Sequence, residues 1–386
     1  MAILNIKLDN VLSFYDFNVN FSFPNKLKTS IIENENLEFV PSFRYKKLNI
    51  FVGSNATGKT SLVKCIWRTL LFLDRKEKII LDEIVNKNDK DSKIEIDLVE
   101  DNENNHILHR YKILISDKFN DSKVMVSHTF VNLSAAKSTK DSYENKIKEL
   151  NSIPDNYLDY IECLKDITPY SGWKIVLPAT EYPFDTINFD KAKSNEEEQA
   201  YVKILNDVFK TLDSSIIKVT KSKDTNNAYV LEHDCGAKII IQEGMKLSDI
   251  PLLSSGTKYG VNISNIIFGI KYHNNGIYLI DEQFSYVNSD IEAAMLSTMA
   301  SLLGPNEQIF FTTHNMNILS LGFPFHSFYF MKKEKINGKQ IITINCGSEA
   351  DNRNNVSPKT IIDNDIFATA PNVNKIFEMA EENDNE

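Results

Sequence analysis

The pattern of apolar and polar residues differs between the ends of the chain and its middle. Near the N-terminus, LNIFV at 48–52 predicts a buried strand, and the spacing of apolar residues in SLVKCIWRTLLFL at 61–73 predicts a helix. From residue 251 onward, predicted helices alternate with buried strands, at 258–272, 276–280, 290–303 and 308–312. Strands separated by helices of this length predict a parallel sheet covered on both faces.

Shorter alternating stretches precede this region. Residues 1–24 predict two strands joined by a turn. The elements predicted in the middle are strands at 93–99, 106–115, 216–220, 228–232 and 238–242, and helices at 137–150 and 195–212. We therefore predict an α/β fold with a mixed sheet and an inserted α+β lobe. Its predicted parts are 1–81, the inserted lobe 82–250, 251–345, and a C-terminal extension with an acidic tail, 346–386.

Composition restricts the class of protein. The 386 residues are 42% hydrophobic and 25% charged, which is enough apolar material for a large core. The sequence lacks an apolar run long enough to span a bilayer, and its four cysteines are scattered without a CxxC pair. These features predict a cytoplasmic protein without a membrane partner. A net charge of -10 argues against a surface built for nonspecific nucleic-acid binding, although a local basic patch for DNA remains possible.

One segment matches a phosphate-binding loop. GSNATGKT at 53–60 fits G-x-x-x-x-G-K-[ST], and it stands between a predicted strand and a predicted helix. The backbone N–H groups of such a loop bind phosphate oxygens, Lys59 reaches the β- and γ-phosphates, and the Thr60 hydroxyl binds Mg²⁺. The predicted nucleotide-binding residues here are Gly53, Ser54, Asn55, Ala56, Thr57, Gly58, Lys59, Thr60 and Ser61. The pattern therefore predicts ATP and Mg²⁺ as ligands.

An acidic pair ends a later apolar strand, in GIYLIDEQ at 276–283. Asp281 is suited to the Mg²⁺ shell, and Glu282 to activating a water molecule as a general base. A strand that ends in a solvated acidic turn is common, so this segment alone would decide nothing. Because a phosphate-binding loop precedes it, we predict that Asp281 binds metal and that Glu282 is catalytic.

Two further segments carry candidate phosphate contacts. In LLSSGTKYG at 252–260, Ser254, Ser255 and Gly256 precede a predicted helix and present hydroxyl and N–H groups. Since the chain already has a phosphate loop, we predict that these three residues contact nucleotide bound by another copy; the alternative is that Ser254 is a simple N-cap. In IFFTTHN at 309–315, a buried strand ends at His314, which we predict to contact the γ-phosphate.

In this order the segments resemble the Walker A, signature, Walker B and H-loop of the ABC/SMC/RecF-like ATPase superfamily. The start of the chain, IKLDNVLSFYDFNVNF, is similar to the two-strand start of SMC-like proteins. The resemblance covers about residues 1–80 and 250–332. It implies an ABC/SMC-type ATPase head with nucleotide held between two subunits, in a dimer or an assembly of dimers. It leaves the Q-loop glutamine unassigned, with Gln199, Gln242 and the loop 178–184 as weak candidates.

The form of the signature, SSGTK, resembles that of AAA-type, ABC-like ATPases of bacterial abortive-infection systems, and the PARIS type in particular. DEQFSYVNSDIEAAML and FFTTHNMNILSLGFPFHSFYFMKK point to the same group. This resemblance implies an ATPase that holds and releases a separate effector, a TOPRIM-like nuclease or a toxin, in anti-phage defence. The alternatives are a RecF-like DNA-repair ATPase, a transporter motor subunit and a nucleotide switch without hydrolysis.

Overall fold

A computed structural model describes residues 1–350 except 24–29, 87, 89, 119–120, 135–141, 169, 171, 178–184 and 337–338. The strands are β1 (Ala2–Asp9), β2 (Phe17–Asn20), β3 (Leu48–Val52), β4 (Ser92–Asp101), β5 (His106–Lys118), β6 (Asp121–Asn132), β7 (Leu158–Asp159), β8 (Trp173–Val176), β9 (Ile216–Lys221), β10 (Ala228–His233), β11 (Lys238–Gln242), β12 (Ile277–Asp281), β13 (Gln308–Thr313), β14 (Phe328–Ile336) and β15 (Lys339–Cys346). The helices are α1 (Lys59–Arg75), α2 (Tyr143–Ser152), α3 (Tyr160–Leu164), α4 (Asn195–Leu212), α5 (Ser255–Lys258), α6 (Gly260–Lys271), α7 (Ser289–Leu302) and α8 (Gly347–Ala350).

The predicted mixed sheet is present and has the strand order β15-β14-β3-β13-β12-β8. Strands β14, β3, β13, β12 and β8 run parallel, and β15 pairs antiparallel with β14. Because parallel strands end at the same edge, the loops after β3, β12 and β13 meet there. The register places Asp281 opposite Thr312. Glu282 comes one residue after Asp281, and His314 comes two residues after Thr312 on the neighbouring strand.

A second large sheet is antiparallel, with the order β2-β1-β4-β5-β6-β7. It joins the two N-terminal strands to strands from the middle of the chain. Leu62, Ile66 and Leu70 of α1 belong to the same buried core as Ile6 of this sheet. Phe310 of the mixed sheet lies in that core too, so α1 is packed between the two sheets.

The other face of the mixed sheet is covered by α6 and α7, whose apolar residues share a core with those of β3, β12 and β13. A three-stranded sheet, β11-β10-β9, packs with α4 against α6. Both faces of the parallel strands are therefore covered, as the alternation of helices and strands predicts. Among the helices of the described residues, none combines the length and the apolar content needed to cross a membrane.

Several elements differ from the prediction. The helix predicted at 258–272 begins earlier, at Ser255, and is interrupted at Tyr259, which separates α5 from α6. The helix predicted at 137–150 spans Tyr143–Ser152 in the described residues. Strands β6, β7, β8, β14 and β15 are additional to the predicted strands. The pairing of β8 with β12 places a strand from the middle of the chain in the mixed sheet.

Candidate nucleotide-binding site

The loop between β3 and α1 has the backbone form that its glycines require. Gly58 has φ 94° and caps α1, a conformation that a side chain disfavours. A Cβ on Gly53 would lie 2.5 Å from the carbonyl oxygen of Met331 in β14, too close for any other residue. Ala56 also has a positive φ, 62°. The two glycines therefore allow the loop to turn tightly beside β14 and into the helix.

Lys59 begins α1 and folds back over this loop. Its Nζ donates to the carbonyl oxygens of Gly53 and Ser54, at 2.9 and 3.0 Å. The same Nζ lies 3.4 Å from Nδ1 of His314. The side chain is buried, with 3% exposed. The ammonium group is thus held at the loop by two carbonyls, in a position from which it can exchange them for phosphate oxygens.

The environment of Lys59 makes its charge sensitive to pH. Burial lowers the pKa of Lys59 to about 8, although the carboxylates of Glu282 and Asp281 oppose this shift. Phosphate binding favours the protonated ammonium, so we expect a phosphate ligand to bind most tightly below this pKa and more weakly as the pH rises through it. Between pH 8 and 9.5 we expect the dissociation constant of a fluorescent ATP analogue to rise by up to about tenfold per pH unit.

The matched control for this pH dependence is Lys59→Arg. A guanidinium stays protonated throughout the range, so the variant should bind more weakly or equally but with a flat pH profile. A wild-type profile that is also flat up to pH 9.5 would contradict this role of the Lys59 ammonium.

Asp281 lies at the end of β12, directly below the start of α1. Its Oδ1 accepts a hydrogen bond from Thr60 Oγ1 at 3.2 Å and from Thr312 Oγ1 at 2.6 Å. The residue is fully buried. The structure therefore brings together Thr60 and Asp281, the two predicted metal-binding residues, although 221 positions separate them in the sequence.

The oxygens at this point fit a magnesium ion. Mg²⁺ prefers hard oxygen ligands and is usually held in nucleotide sites by one or two protein groups together with phosphates and water. A threonine hydroxyl next to a buried carboxylate provides such a pair. Thr60 and Asp281 would hold the ion, with Asp281 acting directly or through water.

Glu282 follows Asp281 and turns sharply out of the strand, with φ 46°. Its Oε1 is 2.8 Å from Nε2 of His314. The hydrogen bond with His314 lowers the pKa of Glu282; burial opposes this shift, and the charge of Lys59 adds to it. Glu282 is therefore ionised at neutral pH, as a general base must be. A cavity of about 250 Å³ opens beside Glu282 and His314 and provides room for water.

His314 connects the base with the lysine. The tautomer with its proton on Nε2 donates to Glu282 and accepts from Lys59 at Nδ1, which satisfies both contacts. His314 is more than one third exposed, so the imidazole can be reached from solvent. Lys59, Glu282 and His314, the three residues predicted to be catalytic, thus form one connected group.

Ser254 and its neighbours hold a different position. Ser254 caps α5, because its Oγ accepts from the N–H of Thr257 at 3.1 Å and lies 2.7 Å from the Thr257 hydroxyl. Ser254 is therefore the N-cap of α5, and its contact with nucleotide bound by another copy stays a prediction. Ser254 and Ser255 are exposed, whereas Gly256 is buried. A Cβ on Gly256 would lie 2.6 Å from the carbonyl oxygen of Tyr286, so a glycine is needed beneath that loop.

Two features of the site do not follow from the motifs. Of the weak Q-loop candidates, Gln199 is exposed on α4 and Gln242 ends β11, while 178–184 lies outside the described residues. Gln283, to which the motifs assign no role, is buried and donates to the carbonyl oxygen of Leu177 at 2.5 Å. Thr312 was also missed; its only signal in the sequence is its place near the end of the strand that leads to His314.

Comparison with known proteins gives structural likeness alone. No protein-family model matches the chain, and no curated protein matches it. An Smc head domain with an extended coiled coil, bound to the C-terminal domain of ScpA and derived from Pyrococcus furiosus, is 10% identical with a TM-score of 0.49; the match covers 90% of this chain and 97% of that one. The SMC head domain from Thermotoga maritima is 12% identical with a TM-score of 0.42, covering 90% and 99%.

The recombination mediator protein RecF-ATPrS of the RecFOR pathway is likewise 12% identical, with a TM-score of 0.39 and coverage of 89% and 98%. The chain is thus similar to these proteins over about nine tenths of its length, at low identity. The functional interpretation of the site depends on the geometry described above: a phosphate-type loop, a lysine, two acids and a histidine at one edge of a mixed α/β sheet.

Proposed function

We propose that this chain binds ATP with Mg²⁺ and hydrolyses it slowly. The observation that carries the proposal is the convergence of Lys59, Asp281, Glu282 and His314 at one sheet edge, above a loop whose N–H groups lead into α1. This set contains a cation for the phosphates, oxygens for the metal and an ionised base. Loops at this edge of parallel strands are where α/β folds bind ligands.

The residues divide the chemistry among them. When bound, Mg²⁺ neutralises phosphate charge and orients the phosphates. Glu282 is positioned to take a proton from the attacking water through the carboxylate oxygen that His314 leaves uncommitted. Lys59 would stabilise the negative charge that develops on the γ-phosphate during the reaction, and His314 would add to this by turning its Nε2–H from Glu282 to a phosphate oxygen. For this, Lys59 exchanges its bonds to the loop carbonyls for bonds to phosphate.

We also propose that a second copy completes the site, with nucleotide held between Gly53–Ser61 of one subunit and Ser254–Gly256 of the other. In support, Ser254 and Ser255 are solvent-exposed rather than joined to the loop of their own subunit. Two large apolar side chains next to them are also exposed, Leu252 at 67% and Tyr286 at 64%. Exposed apolar side chains around a polar centre are typical of an interaction surface.

The direct test is ATP binding and phosphate release by the full chain, with Lys59→Ala as the variant. Loss of the charged hydrogen bonds from the ammonium to phosphate should weaken ATP binding by about 10- to 100-fold, the equivalent of about 1.5–3 kcal/mol. Thermal melts without nucleotide serve as the control for folding. A wild-type chain that binds no ATP in the presence of Mg²⁺ would refute the proposed function.

The biological role that we propose for this ATPase is control of a separate effector protein, a TOPRIM-like nuclease or a toxin, in anti-phage defence. The resemblance of SSGTK and the segments after it to abortive-infection ATPases supports this role. In bacteria carrying both proteins, the Glu282→Gln variant should no longer switch the effector when phage infects the cell. Salt-dependent DNA binding that strengthens with ATP, without any effector complex, would instead favour the RecF-like alternative.

A further inference from the structure

A single buried hydroxyl lies behind the two acids of the site. Thr312 is 1% exposed and stands opposite Asp281 in the register of β13 and β12. Its Oγ1 is 2.6 Å from Asp281 Oδ1, and the backbone N–H of Glu282 donates to the same Oγ1 at 3.0 Å. One side chain therefore contacts both the carboxylate on the metal side and the backbone of the base.

The chemistry of these groups fixes the direction of each hydrogen bond. A backbone N–H can only donate, so Thr312 accepts from Glu282. An ionised carboxylate can only accept, so the one proton of the Thr312 hydroxyl goes to Asp281. Neither role can be filled by an apolar residue of the same shape. Asp281 Oδ1 also accepts from the hydroxyl of Thr60, so two threonines donate to this oxygen.

The backbone of Glu282 is the part that needs support. Its φ of 46° lies in the left-handed region, which is unfavourable for residues other than glycine and is kept only where the surroundings hold it. This turn ends β12 and directs the Glu282 carboxylate to His314, 2.8 Å away. Thr312 holds the N–H side of the turn, and the Ser285 hydroxyl donates to its carbonyl side at 2.9 Å.

We propose that Thr312 is a positioning residue that fixes the metal-binding carboxylate and the general base relative to each other. It acts through Asp281 and Glu282 and is too deeply buried to touch nucleotide. The inference rests on the proposed ATPase function, and it assigns the alignment of metal and base to one hydroxyl in the neighbouring strand. The role predicts a linked change in catalysis and in Mg²⁺ requirement when that hydroxyl is removed.

The test compares Thr312→Val and Thr312→Ser in the full chain. Valine keeps the shape but removes both hydrogen bonds, so we expect kcat to fall by about 10- to 100-fold, as for partners that orient metal ligands. The Mg²⁺ concentration needed for half-maximal binding of a fluorescent ATP analogue should rise several-fold. Binding measured in EDTA should stay unchanged, and Thr312→Ser should restore both quantities because it retains the hydroxyl.

Thr313→Val is the matched control for lost stability. Thr313 is the next residue, is also buried, and donates to a carboxylate, Glu292 Oε1, at the same 2.6 Å. We expect Thr313→Val to lower the melting temperature without changing the Mg²⁺ requirement. If Thr312→Val does not fold, Thr312→Cys, whose thiol is a weak donor, should show the Mg²⁺ shift relative to Thr312→Ser.

The outcomes are distinguishable. Unchanged kcat and Mg²⁺ requirement in Thr312→Val, in a wild-type background that binds and hydrolyses ATP, would overturn the positioning role alone. An equal Mg²⁺ shift in Thr313→Val would overturn it too, because general loosening of β13 would then account for the effect. A wild-type chain without ATP binding would refute the proposed function together with this role.

Discussion

Replacing Glu282 by glutamine is expected to lower ATP hydrolysis by about 10²- to 10⁴-fold, the range for loss of a general base, while ATP stays bound. The amide keeps the size of the side chain and can still accept a hydrogen bond from His314, which lies 2.8 Å from Glu282 Oε1. It cannot accept a proton from water, and this is the ability that the lowered pKa of Glu282 supports through the His314 hydrogen bond.

The measurement is single-turnover phosphate release beside equilibrium ATP binding. Glu292→Gln is the matched control, because Glu292 is a second acid lining the same cavity. Glu292 belongs to α7, and its carboxylate accepts from Thr313 Oγ1 at 2.6 Å. We expect this control to hydrolyse ATP within about threefold of wild type, since Glu292 is not the proposed general base. Hydrolysis by Glu282→Gln at the wild-type rate would show that another group activates the water.

Adding Ser254→Arg to Glu282→Gln is expected to abolish an ATP-dependent doubling of molecular mass. The Glu282→Gln chain should retain ATP and therefore accumulate the closed pair of subunits. Ser254 is exposed, as are Leu252 and Tyr286, and the Tyr286 backbone lies against Gly256. An arginine at position 254 would therefore place a long charged side chain in the proposed contact. Light-scattering mass with and without ATP and Mg²⁺ measures the effect.

The control separates loss of contact from loss of a helix cap. Ser254 caps α5, and losing an N-cap costs about 0.5–2 kcal/mol on its own. Ser194 caps α4 in the same way, with its Oγ accepting from the N–H of Glu197 at 3.2 Å. Ser194→Arg should therefore destabilise the chain to a comparable extent and leave the mass change intact.

Each pattern of masses has a distinct meaning. A monomer at all ATP concentrations would contradict the composite site and leave a nucleotide switch within one subunit. A larger assembly that is independent of ATP would show that the subunits associate before nucleotide binds. In that case, ATP turnover would change the conformation of a preformed complex or release a protein bound to it.

The form of the phosphate-type loop and the position of the acidic pair could be predicted from sequence because their determinants are local. Gly53 and Gly58 are spaced for one tight loop, and the apolar run before each polar segment predicts a buried strand that ends at the sheet edge. The hydrogen bonds of Thr60 with Asp281 and of His314 with Glu282 confirm that these segments meet. The boundaries predicted for α4, 195–212, are also those of the structure, since polar caps and helical spacing agree along that segment.

Only the tertiary structure decided which strands lie next to each other. The pairing of β8 with β12 and the packing of β14 against Gly53 depend on long-range contacts that no local spacing encodes. Thr312 illustrates the reason: in the sequence it is one threonine in an apolar strand, and it becomes a bridge because the register sets it opposite Asp281. Local patterns specify periodicity and chain reversal, whereas sheet order and register are selected by the burial of whole faces, which involves the entire chain at once.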